Sequence, residues 1–69
     1  MAHIATIEFV DRDSGDEGFA GIRVVDGVVG LTLSLRRNGD IEVFVDDQVL
    51  DQLLAALGRA RVLIAEGSR

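Results

Sequence analysis

Cysteine, lysine, tyrosine and tryptophan do not occur in this 69-residue chain. Without cysteine there is no disulfide framework and no thiolate metal site. The other ligand types are too few for a structural metal, and the single histidine, His3, lies two residues from the start. The missing side chains are also those from which many catalytic sites are assembled. Ser14, Ser34 and Ser68 have no evident base or orienting partner, so nucleophilic catalysis is unsupported. The glycines match neither a phosphate-binding loop nor a dinucleotide fingerprint. The expectation is a non-enzymatic protein without cofactor or metal.

No apolar run approaches the ~18 residues of a membrane span. The first residues lack the charged start, apolar stretch and cleavage site of a signal peptide, so a cytoplasmic protein is expected. All seven basic residues are arginine, and Gly, Ala, Val, Asp and Leu abound. That bias points to a GC-rich bacterial or phage genome.

The net charge is −5, with the signs segregated. Asp11, Asp13, Asp16 and Glu17 form one acidic segment, and Asp46, Asp47 and Asp51 belong to a second. This balance argues against general binding to nucleic acid or an anionic membrane. The Asp-rich stretch from Asp11 to Gly18 invites a calcium reading. An EF-hand counted from Asp11 would need glycine where Asp16 stands and glutamate where Ile22 stands. A solvated loop, the most mobile part of the chain, is the simpler expectation.

What is present is apolar alternation. At 48% hydrophobic, the chain is ample for one globular domain spanning 1–69. Residues His3 to Val10 read as a strand with both faces partly apolar, pairing beside either the second strand or the fourth. Residues Phe19 to Val25 and Val28 to Arg36 alternate around Asp26-Gly27, the strongest turn signal here. A direct two-residue turn pairs Val25 with Val28, Ile22 with Leu31 and Ala20 with Leu33. For the next hairpin, an Arg37-Asn38-Gly39 loop pairs Leu35 with Ile41, Leu33 with Val43 and Leu31 with Val45, with Arg36 opposite Asp40.

From Val49 to Ile64, apolar residues recur every three or four positions, which predicts an amphipathic helix. Asp46 or Asp47 caps its start and Gly67 marks its end. Gly58 inside it reads as a tolerated glycine. The predicted fold is α+β: an antiparallel meander of three to four strands, its Val/Ile/Leu face covered by one C-terminal helix (ββββα).

A monomer of this size buries only ~60% of its unfolded surface, so self-association is a natural way to enlarge its core. Phe19, Val25, Val28 and Phe44 fall on the outer sheet face, and Phe19 and Phe44 should flank the third strand at Ser34 and Thr32. Val49 starts a row with Ala56 and Leu63 on the helix edge, and Arg61 lies near the centre of its apolar stripe. These residues predict a protein–protein interaction module that forms a homodimer, with an unidentified protein as the other partner considered. Two alternatives are a DNA-reading sheet face carrying Arg23, Arg36 and Arg37, and an acidic mimic that inhibits a basic protein through the two Asp-rich segments.

Overall fold

The chain turns most tightly at Asp26-Gly27. Both residues have positive φ, 51° and 79°, as a two-residue hairpin turn matched to strand twist requires. The computed structural model describes residues 1–67; Ser68, considered above as a nucleophile, and Arg69 lie outside the described residues. Around this turn β2 (Glu17–Val25) and β3 (Val28–Leu35) pair with Val25 opposite Val28, Ile22 opposite Leu31 and Ala20 opposite Leu33. This is the register that apolar matching predicts. β1 (Ala2–Val10) and β4 (Gly39–Val45) flank them, giving one antiparallel sheet in the order β1-β2-β3-β4. Of the two places open to the first strand, the structure has it beside β2.

The second hairpin corrects the predicted register. Leu35 pairs with Gly39, Leu33 with Ile41, Leu31 with Val43 and Val29 with Val45. The shift is two residues. It leaves every side chain on its expected face, so apolar alternation cannot detect it. Hydrogen bonds at the turn accompany the observed register. The Arg37 N–H donates to the Asp16 carboxylate at 2.8 Å, and the Arg36 N–H donates to the Glu17 carbonyl at 2.9 Å. Asn38 closes the turn onto the Leu35 carbonyl at 3.2 Å, and Gly39 takes φ 77°. The predicted Arg36–Asp40 pair is not formed. Arg36 instead meets Glu17 at 3.0 Å, while Asp40 accepts from the Ser34 hydroxyl at 3.4 Å.

Of the 11–18 segment, expected to be a mobile loop, Glu17 and Gly18 instead open β2, and residues 11–16 are bonded among themselves. Ser14 donates its N–H and its hydroxyl to the Asp11 carboxylate at 2.9 and 2.7 Å. The Gly15 N–H reaches the Asp11 carbonyl, and the Asp11 N–H reaches the Asp16 carbonyl, both at 2.8 Å. Asp16 is the single polar or charged residue classed as buried among the described residues. It joins the β1–β2 loop to the β3–β4 turn.

The helix α1 (Asp47–Ala65) follows β4 with Asp46 alone between them. Asp46 is the N-cap, its carboxylate accepting from the Val49 N–H at 3.0 Å. Gly67, at φ 77°, returns its N–H to the Ile64 carbonyl at 3.0 Å. The helix packs on the sheet at β3 and β4 and does not reach β1 or β2. Leu50 is half-buried there, whereas every other residue of α1 is exposed. The predicted cover over the inner sheet face is therefore partial. The Cα radius of gyration, 13.7 Å, exceeds the ~11 Å of a compact chain this long.

Two glycines test this packing in opposite directions. A Cβ at Gly18 would collide with the Ser34 carbonyl oxygen and approach Leu35 to 2.8 Å, whereas one at Gly58 meets nothing within 4 Å. Gly18→Ala should therefore destabilise the fold by about 1–3 kcal/mol. Gly58→Ala should stabilise it by about 1 kcal/mol. Urea denaturation of both variants checks the pair; a loss at Gly58 would mean that another chain's backbone lies against that flank of the helix.

Candidate functional site

The pleat sorts the sheet residues into two unlike faces. One carries Ala5, Ile7 and Phe9 from β1; Gly18, Ala20, Ile22 and Val24 from β2; and, across from these, the Val29-to-Leu35 and Val45-to-Gly39 alternates of β3 and β4. Every position on it is apolar or glycine. This face is open: Leu33 is 58% and Ile41 62% exposed, and among the described residues no hydrophobic side chain is buried. Away from the helix start it dips into a groove of about 370 Å³ whose lining includes Phe9, Leu33, Leu35 and Ile41, with Asp11 and Asp40 among its polar residues.

The helix repeats the pattern. Leu57 is 66% and Ile64 75% exposed. With Ala60, Ala65 and Arg61 they line a shallow hollow on the last turns. Arg61 makes no salt bridge among the described residues. Val49, Ala56 and Leu63 are exposed along one edge of the same helix.

The other sheet face is organised around a charge pair. Arg23 donates from Nε and Nη2 to the two Glu42 carboxylate oxygens at 2.8 and 2.9 Å. This two-pronged geometry is the strong form of an ion pair. Thr32 donates its hydroxyl to Glu42 at 3.2 Å, and the Arg23 guanidinium carbon stands 5.4 Å from the Phe44 ring centroid. Gly30 lies beneath them. A Cβ there would come to 3.0 Å from Phe44, 3.1 Å from Glu42 and 3.2 Å from Arg23, so a larger residue would push these side chains apart by a few tenths of an ångström. The Arg23 hydrogen bonds hold the Glu42 carboxyl below its ordinary value. Bonds from the Ser14 side chain and backbone do the same for Asp11.

Phe44 is opposite Gly30 rather than Thr32, a consequence of the two-residue register difference, while Phe19 is opposite Ser34 as expected. Phe19, Val25 and Val28 are half-buried, and Phe44 is exposed. Arg23, Thr32 and Glu42 interrupt this face between the two phenylalanines. Val49 and Arg61 belong to the helix, away from that set.

The acidic residues divide likewise. Asp11, Asp13, Asp16 and Glu17 gather at the loop end of the sheet. Asp46, Asp47 and Asp51 stand at the start of the helix, separated from them by the length of β4, about 20 Å. Asp11, Asp16 and Asp46 are already engaged by Ser14, Arg37 and the helix N-terminus. Among the described residues no three acidic or histidine side chains converge on one point.

Sequence reading missed the Arg23–Glu42–Thr32 cluster and a second contact, His3 Nε2 to the Thr6 hydroxyl at 3.2 Å. Glu42 opposite Thr32 was accessible only with the correct register. The His3–Thr6 contact depends on a bulge between His3 and Ala5. The extra residue, Ile4, brings His3 and Thr6 to the same face, which simple alternation would separate. Neither member of this pair has a third group orienting it.

Comparison with protein-family models, curated proteins and solved structures finds no match to the chain.

The lowered Glu42 carboxyl gives a pH dependence with a definite sign. Its stabilising pair with Arg23 is complete above the ordinary value of 4.5, and is lost as pH falls through the lowered one. Thermal midpoints of the native chain should thus drop on acidification more steeply than those of Glu42→Gln. Parallel curves for the two proteins would show that the pair contributes nothing to the acid transition.

Proposed function

We propose that this chain is a non-enzymatic protein–protein interaction module that works as a homodimer, in a binding, regulatory or assembly role. The observation that carries this reading is its accessible surface, 5,689 Å². A folded monomer of 7.4 kDa exposes about 4,200 Å². The excess, about 1,500 Å² per chain, exceeds the ~800 Å² each partner buries in a standard interface and falls in the obligate range. The excess coincides with exposed Leu, Ile and Val on one sheet face and on the helix, far beyond a scatter of single apolar residues.

Two features of the other face favour this reading over DNA recognition. The Arg23 guanidinium is held by Glu42, and Arg36 and Arg37 lie beside Glu17 and Asp16 at the acidic end. We further propose a cytoplasmic setting in a bacterium or a phage-infected cell, on the compositional grounds given above.

Size-exclusion chromatography with light scattering, across a wide range of protein concentration, tests the proposal. The expected mass is twice that of the chain, and Leu33→Asp should weaken or abolish the dimer. A cooperatively folded species of single-chain mass at all concentrations would overturn it.

A further inference from the structure

The homodimer proposed above leaves open which surfaces meet. We infer that each chain lays its helix across the apolar sheet face of the other, so that the two helices are exchanged between two sheets. Three observations carry this.

The first is fit. The apolar stripe from Leu50 to Ile64 runs about 21 Å along the helix, and a helix with its side chains is about 10–12 Å across. The open face is about 25 Å long along β3, and its four strands span about 14 Å between outer axes. One helix therefore covers most of one face. Helix on sheet is also the layer arrangement by which an amphipathic helix and a one-sided sheet bury each other.

The second is that neither surface is covered within its own chain. With Asp46 alone joining β4 to α1, the helix meets the sheet near Leu50, touching β3 and β4. The groove on the far part of the face and the apolar surface of the last helical turns both remain open.

The third is charge. The far groove has Asp11 among its lining residues, and Arg61 lies between Leu57 and Ile64 on the last helical turns. A helix seated on the other copy's sheet buries Leu57 and Ile64 in the groove. It carries Arg61 toward Asp11 of the partner subunit, where its long stem covers apolar surface and its charge meets a carboxylate.

The chain contains no cysteine, so single cysteines report contacts cleanly. Leu33→Cys and Leu57→Cys chains, carrying tags of different length, are mixed, refolded together and mildly oxidised. The exchange geometry expects the mixed disulfide as the main product, and little cross-linking of either variant with itself. Self-linking of Leu33→Cys would mean sheet on sheet, and self-linking of Leu57→Cys helix on helix; either outcome overturns the inference while leaving the dimer standing. A doubly substituted chain that closes a disulfide within itself would overturn it too, by showing each helix folded on its own sheet. Ile41→Cys with Ile64→Cys repeats the test should the first pair fail to fold. Arg61→Glu should raise the dimer dissociation constant by up to about fivefold at low salt. An unchanged constant would overturn the contact assigned to Arg61. A single-chain mass for the native protein is a different result, since it removes the dimer itself.

Discussion

Water cannot be kept from one face of this sheet by the chain that forms it. That face carries only apolar residues and glycine, four strands wide, and the helix that could shield it touches two strands near its start. Burial of apolar area is the main favourable term in folding, so a layer of this kind needs a second layer. The open helix stripe has the same need. Both deficits belong to one molecule.

The opposite face has the reverse character. Glu42 collects two bonds from Arg23 and one from Thr32, and the guanidinium also lies near the Phe44 ring. Such a cluster satisfies its own polar groups while remaining wet at its surface. Gly30 makes room for it by carrying no side chain. One sheet thus presents a dry side and a wet side. The two phenylalanines on the wet side are separated by charge rather than joined into one patch.

Element order, the meander, the first hairpin and the helix with an Asp46 or Asp47 cap were legible in the sequence because each has a local signal; the structure assigns the cap to Asp46. Asp26-Gly27 needs positive φ at both positions, and the helical stripe has a period that a strand cannot imitate. The two-residue difference in the second hairpin was not legible, because a period of two is unchanged by a shift of two. What accompanies that register is the Asp16 carboxylate on the Arg37 N–H, a contact between residues 21 positions apart. The extent of helix packing escaped for a different reason. Amphipathicity says that a helix has a side to bury, and not which molecule buries it. Of the candidate interface residues, Phe19, Val25, Val28 and Phe44 were recognisable from their outward phase. The larger apolar area lies on the face read as interior, whose residues the sequence assigns to a core that one chain does not complete.

The sequential strand order has a kinetic consequence. Each ladder joins neighbours along the chain, and the innermost closes across two residues at Asp26-Gly27. Topologies dominated by such local closures have low relative contact order and fold quickly for β proteins. Zipping outward from that turn requires no long loop to be closed before pairing begins. The sheet of each chain is in this respect able to organise before a second molecule arrives. In the proposed dimer, the slow, concentration-dependent part of assembly is then the docking of layers rather than the pairing of strands.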